Sequence, residues 1–215
     1  MRSLITLILI AGTLGTPVWP NKFMQTFREE FKYNYLSGET KGTLWYNFYK
    51  RTYRLDREDG RYDRFCGSEK WLTDTPCTHY VKDGIRYLDF PELDYCCNCC
   101  DSEHGCGVLK PNWLEGAEAA GTYKDEKGRE VEIWSKKGLQ DNLAHFIKES
   151  GIMTKIDMKP NDTQFYSPES FKTDFDDSIF EPPHRCQKNT KCGRLSVCGF
   201  IQGNNHKAQV QSETQ

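Results

Sequence analysis

Aliphatic side chains are scarce in this chain: hydrophobic residues make up 37% of its 215 positions and the mean hydropathy is −0.76. A core of Leu, Ile and Val alone would be thin. Charge of one sign is missing too, since 29 Lys and Arg meet 31 Asp and Glu for a net charge of −2. That leaves no basic field for a polyanion, and nucleic-acid binding is not expected. After residue 14 no apolar run approaches the roughly 20 residues that a membrane-spanning helix needs, so no transmembrane segment is expected. Catalytic motifs are also lacking. His79, His104, His145, His184 and His206 have no HExxH or GxSxG context, and an even cysteine count singles out no nucleophilic thiol. The expectation is a protein that is not an enzyme and carries no cofactor, with His145 a structural residue between Leu143 and Ile147.

What is present begins with an export signature. Arg2, the apolar run Leu4 to Leu14, and small residues at Thr13 and Gly15 read as a signal peptide over residues 1–15. The expected organisation is that signal, one β-rich domain over 16–198, and a polar, aperiodic tail over 199–215 read as disordered. Thiols that pass through an oxidising lumen normally end as disulfides, and the chain holds 10 of them: Cys66, Cys77, Cys96, Cys97, Cys99, Cys100, Cys106, Cys186, Cys192 and Cys198. All are expected to be cross-linked, with no metal site, although the run 96–106 with His104 can be drawn as a zinc cluster. Neighbouring residues of a strand face opposite ways, so Cys96 and Cys97 need different partners, as do Cys99 and Cys100. Spacing does not select among the roughly 945 full pairings.

Aromatics fill the aliphatic gap, with 12 Phe, 11 Tyr and 5 Trp. They fall in period-two segments broken by turn residues. LWYNFYKRTY (44–53) runs to a Glu58-Asp59-Gly60 turn before RYDRF (61–65). THYVKDGIRYLDF (78–90) turns at Lys82-Asp83-Gly84, and GTYKDEKGREVEIW (121–134) turns between Asp125 and Gly128. NLAHFIKES and GIMTKIDM (142–158) add two strands. The fold class predicted is mainly β, an antiparallel sheet, with short helices only in FMQTFREEF (23–31) and from Pro111 to Ala120. The stretch Arg51, Arg54, Arg57, Arg61 and Arg64, interleaved with acids, reads as a solvated strand face.

Three sets of residues resemble the ependymin-related family. Asp177-Ser178-Ile179-Phe180-Glu181-Pro182-Pro183-His184-Arg185-Cys186 is similar to its C-terminal signature. Pro76-Cys77, then Tyr80-Val81-Lys82-Asp83-Gly84 and Cys96, resemble its first cysteine, hairpin and second cysteine; Glu132-Ile133-Trp134-Ser135 resembles its Trp-Ser strand. The likeness spans residues 40 to 186. It implies a curved half-barrel like that of the LolA/LppX lipoprotein carriers, with an apolar concave pocket, a secreted or lysosomal destination, a disulfide from Cys96 or Cys97 to Cys186, and a tendency to homodimerise. The CCNCC run, Cys192 and Cys198 exceed the family's usual cysteines.

The expected function is binding of a hydrophobic small molecule, a fatty acid or lipid. Alternation places Leu44, Tyr46, Phe48, Tyr87, Ile133, Ile156 and Met158 on the concave face, with Trp113 closing the opening; Lys50 and Arg54 continue the first row to solvent. Two alternatives are kept: an extracellular or matrix interaction protein with a sealed core, and an exported metal-binding protein. Export also makes Asn161 of the Asn161-Asp162-Thr163 sequon a glycosylation site. Intact mass before and after glycosidase treatment checks this, and an unchanged mass rejects it.

Overall fold

The computed structural model describes residues 15–33, 36–137, 141–160 and 162–203. Asn161, the expected signal up to residue 14, and residues 204–215 lie outside the described residues. Among the described residues eleven strands form one sheet: β1 (Lys22–Tyr33), β2 (Leu36–Asn47), β3 (Thr52–Arg57), β4 (Cys77–Lys82), β5 (Ile85–Phe90), β6 (Tyr95–Asp101), β7 (Glu118–Lys124), β8 (Glu130–Lys136), β9 (Asp141–Ile147), β10 (Met153–Lys159) and β11 (Asp162–Tyr166). Every pairing is antiparallel, in the order β6-β5-β4-β3-β2-β1-β11-β10-β9-β8-β7. Two meanders thus join where β1 meets β11, and β6 and β7 are free edges of an unclosed sheet. The sheet is strongly curved. β5 and β9 stand seven strands apart in that order, on the order of 30 Å in a flat sheet at about 4.8 Å per strand, yet Arg86 and Asn142 line the same cavity.

Turn chemistry sets two of the hairpins. Asp83 and Gly84 both take positive φ, 52° and 76°, as a two-residue primed turn requires. Between β7 and β8 the Asp125 carboxylate accepts hydrogen bonds from the Lys127 and Arg129 amides.

Elsewhere the fold departs from expectation. FMQTFREEF is not helical but lies within β1, where Phe23, Gln25, Phe27, Glu29 and Phe31 are all buried on one face. Phe23, Phe27 and Phe31 are spaced by four, a multiple of both strand and helix repeats, and the buried Gln25 and Glu29 mask the alternation. From Pro111 to Gly116 the chain makes successive turns, with Trp113 bonded to Lys110 and Glu115 to Asn112, and then enters β7 instead of continuing as a helix. LWYNFYKRTY is two strands: the Asn47 side chain accepts from the Lys50 amide and Arg51 takes a positive φ of 51°, so Phe48 sits in a turn. RYDRF is not a strand either. Asp63 caps helix α1 (Arg64–Glu69), accepting from the Phe65 and Cys66 amides.

All ten cysteines are paired among the described residues: Cys66–Cys77, Cys96–Cys186, Cys97–Cys192, Cys99–Cys198 and Cys100–Cys106. Cys96 lies opposite Asp89, Cys97 opposite Leu88 and Cys100 opposite Arg86, so Cys99 is an extra residue in β6 and the strand bulges there. The pairings cover this free edge. Residues 190–192 run beside β6, with the Asn98 amide donating to the Thr190 carbonyl and the Cys192 amide to the Asn98 carbonyl. A helical turn over 197–203 follows, so the first residues of the tail expected to be disordered are ordered; Cys198 anchors them and Ile201 packs against the cystines.

The interior falls into two clusters. One is aromatic, with Trp19, Phe23, Phe27, Leu44, Tyr46, Leu55, Leu114, Trp134, Phe146 and Tyr166; the other joins Leu88 and Phe90 to cystines.

Loop-closure entropy ranks the bridges. Cys96–Cys186 spans 90 residues and Cys100–Cys106 spans 6, so replacing the first pair by alanine should cost about 4–5 kcal/mol and the second about 2. Urea unfolding of the two double variants checks the ranking, which fails if the short bridge costs more.

Candidate functional site

A cavity of about 340 Å³ borders the aromatic cluster. Its apolar wall comes from Leu44 and Tyr46 of β2, Leu55 of β3, and Met153, Ile156 and Met158 of β10. The segment 107–116 forms its cover. Tyr46 donates its hydroxyl to the Leu109 carbonyl at 2.8 Å, the Trp19 amide donates to the Pro111 carbonyl at 3.0 Å, and the Lys136 ammonium binds the Glu115 carbonyl. Trp113 meets Trp19 edge to face at 5.5 Å, and both line the cavity.

Much of the rest of the lining is charged. Arg57, only 5% exposed, binds Glu29 of β1 through Nη1 and approaches Asp63 through Nε at 3.0 Å. Asp63 also faces His79 Nε2 at 3.0 Å. Gln164 of β11 donates to Glu29 and accepts from the Tyr166 hydroxyl, while Arg64 pairs with Asp162 at 3.2 Å. The buried groups titrate accordingly. Burial pushes the Glu29 carboxyl up against the pull of Arg57. For Asp63 burial acts upward as well, but His79, Arg57 and the cap hydrogen bonds prevail and hold it well below the carboxylate range. Burial raises Tyr53 to about 12, so its hydroxyl keeps its proton. His79 Nε2 lies 3.1 Å from Cys66 Sγ, but that sulfur is in a disulfide and offers no thiolate.

Of the residues expected at the pocket, Leu44, Tyr46, Trp113, Ile156 and Met158 line this cavity. Phe48 packs against the aromatic cluster from its turn without reaching the cavity. Tyr87 and Ile133 are corrections: both point to the convex side. In β5 the inward row is Arg86, Leu88 and Phe90, because Arg86 pairs with Val81 and Leu88 with His79. In β8 it is Glu132 and Trp134, because Trp134 pairs with Ala144 and Ile133 with His145. Parity within a strand is visible in sequence, but which parity faces inward depends on register. Arg54, expected to continue the concave row of β2 to solvent, lies instead on the convex side, because the turn at 48–51 shifts the parity: it pairs with Trp45, stacks over Trp45 and Tyr80 and is paired with Asp56. The reading of the arginine stretch as solvated fails at Arg57, which is buried with Glu29 and Asp63. Trp19, Tyr53, Leu55 and Arg86 also line the cavity and were not anticipated; Tyr53 and Leu55 were hidden by the unrecognised turn at 48–51. His145 bonds Asp157 at 3.1 Å on the convex face.

No family model matches the chain and no curated protein matches it, so the ependymin resemblance has no counterpart there. Solved structures of similar fold include an uncharacterized conserved protein from Thermus thermophilus, at 7% identity over 76% of this chain and 86% of that one, TM-score 0.48. The Pseudomonas aeruginosa MucA/MucB complex matches at 12% identity over 77% of this chain and 57% of that one, TM-score 0.44. A LolA superfamily protein from Nitrosomonas europaea matches at 8% identity over 77% and 93%, TM-score 0.38.

Replacing Arg57 by methionine leaves Glu29 buried without its cation and Asp63 with His79 alone. Breaking a buried pair this way costs about 3–5 kcal/mol, on the order of 10 °C in melting temperature. Without the pull of Arg57 the Glu29 carboxyl, already raised by burial, titrates higher still in the folded state. The deficit is therefore smallest below about pH 4, where both states bind the proton, and grows as pH rises. Melting scans at pH 5 and pH 8 check the sign; a deficit no larger at pH 8 counts against Arg57 as the counter-charge.

Proposed function

We propose that this protein is an exported, non-catalytic carrier that binds a hydrophobic chain, a fatty acid or similar lipid, in the concave cavity. The observation that carries the reading is the covered cavity itself. Its volume of about 340 Å³ lies at the lower end of the usual range for small-molecule sites, about 300–1,000 Å³, which fits one acyl chain rather than two. Burial of about 300 Å² of apolar ligand surface at about 25 cal/mol per Å² gives roughly 7 kcal/mol before association costs. That corresponds to micromolar or weaker affinity. Export is supported by the five disulfides, which persist in oxidising compartments. The likeness of residues 40–186 to ependymin-related proteins points the same way, towards a secreted or lysosomal carrier.

A second reading rests on how closed much of the concave face is: Tyr46 is 1% exposed and Leu44 2%. On that reading the aromatics are a sealed core, and the protein acts through its outer surface at a cell surface or in a matrix.

Substitution on the two faces separates the readings. Ile156→Asp puts a carboxylate on the apolar wall and should abolish uptake of a fluorescent fatty acid analogue, whereas Ile133→Asp, on the convex face, should leave it within about threefold. Circular dichroism verifies that both variants fold. Equal loss in both, or no uptake by the unmodified protein, leaves the sealed core standing. Mass spectrometry of small molecules extracted from the purified protein gives an independent reading.

A further inference from the structure

We infer that the cavity reads the anionic end of its ligand through Arg86, so that its ligand is a single-chain amphiphile with a terminal carboxylate or phosphate. The inference rests on the carrier reading and concerns the polar wall that reading leaves unused. Three carboxylates line the cavity, Glu29, Asp63 and Asp162, and three guanidiniums, Arg57, Arg64 and Arg86. The carboxylates are taken: Arg57 binds Glu29 and Asp63, Arg64 binds Asp162, and His79 adds a second partner to Asp63. Arg86 has no ion pair among the described residues, and its Nε is buried without a hydrogen-bond partner. Arg86 is half-buried; a buried Nε–H with no partner is costly, and an entering anion would satisfy it through two parallel N–H bonds.

Its position fits that role. Arg86 is on the inward row of β5, paired with Val81, which pairs in turn with Tyr53. Its guanidinium lies over the Phe65 ring at 5.0 Å, a stacking contact that holds the side chain without using its donors. Tyr53 borders the same cavity; its hydroxyl has no hydrogen-bond partner among the described residues and can donate a further bond to a bound anion. Leu44, Ile156 and Met158 supply apolar surface to the same cavity, so the chamber offers both a place for a tail and a charge for its end.

The test is displacement of the neutral probe N-phenyl-1-naphthylamine by four ligands of one chain length: dodecanoate, dodecyl phosphate, methyl dodecanoate and dodecanol. Either anion should bind at least tenfold more tightly than the uncharged pair, and the stronger of the two identifies the headgroup. Arg86→Gln should erase that ratio while leaving the affinity for dodecanol within about twofold. Arg86→Lys should keep part of it, and Tyr53→Phe should weaken the anion alone by a few fold. A ratio unchanged in Arg86→Gln overturns the assignment of the anion to Arg86 and leaves the carrier reading in place. Failure of the probe and of all four ligands to bind the unmodified protein overturns both. Should Arg86→Gln not fold, Tyr53→Phe decides, and equal affinity of its anion and ester complexes relative to the native protein counts against the site.

Discussion

The interior is organised around the clamp of Glu29 and Asp63 on Arg57. A chain this poor in aliphatic residues cannot fill the hollow of an eleven-stranded curved sheet with hydrocarbon, and something polar must cross it. The crossing is a chain of partners, from Tyr166 through Gln164, Glu29 and Arg57 to Asp63 and His79, drawn from β11, β1, β3, the N-cap of α1 and β4. As stability such a network is worth little beyond what desolvation removes. Its effect is on register. A one-residue slip of β3 would turn Arg57 outward and bring Asp56 into the hollow beside Glu29, two like charges with no cation between them. Phe27 under the Arg57 guanidinium at 4.9 Å ties the clamp to the aromatic cluster. Gly42, opposite both Phe27 and Arg57 in the sheet, leaves room for that ring, since a Cβ there would run into it and into the Asp56 carbonyl.

On one side of the clamp the core is aromatic, and on the other it is made of cystine. The division follows from composition. Leu88 and Phe90 are the aliphatic and aromatic residues buried in the cystine cluster, and sulfur bridges supply the remaining contacts and fix strands that so small an apolar area would not hold. The two free edges are treated differently. β6 is covered by residues 190–192 and the turn after them, held by Cys97–Cys192 and Cys99–Cys198. β7 stays exposed along its length but is interrupted by a shift of register between Ala119 and Gly121 and carries Glu118 and Lys124 at its ends, features that discourage edge pairing.

Much of the fold was legible because its signals are local. Asp83-Gly84 requires positive φ whatever surrounds it, and the alternation of 142–158 marks two strands without knowledge of their neighbours. Adjacent cysteines on one strand imply divergent partners, and Cys96 and Cys97 do reach Cys186 and Cys192. The rest was set by register and by long-range charge pairing, which leave no local mark. Tyr87 and Ile133 have the side chains of a pocket wall, yet the strands that pair with them turn them outward. Arg57 looks like its neighbours Arg54 and Arg61 in sequence; what separates it is Glu29, 28 residues earlier. β1 shows the same limit, because its buried polar residues, Glu29 in the clamp and Gln25 bonded to the Met153 carbonyl, break the hydrophobic pattern that would have marked the strand.

The mixed lining of the cavity has the same origin as the division of the core. β2 and β10 bring Leu44, Tyr46, Ile156 and Met158 to the cavity, while β3, β4, β5 and α1 bring Arg57, His79, Arg86 and Arg64. The cover over 107–116 begins just after the bridge Cys100–Cys106 and leads into β7, so both ends are fixed, and in between it is held by bonds to the carbonyls of Leu109, Pro111 and Glu115. Bonds to backbone carbonyls fix where the cover lies without demanding particular side chains on it. That frees the cover's side chains from holding it in place: Trp113 can turn inward against Trp19, and Leu109 can border the cavity while remaining 54% exposed. A sheet face that packed entirely against its cover would need apolar side chains along the whole of 107–116. Lys110, Asn112 and Glu115 take three of those positions, and the large apolar residues of the cover, Trp113 and Leu114, are engaged by Trp19 and the aromatic cluster, so space beneath the cover remains a cavity.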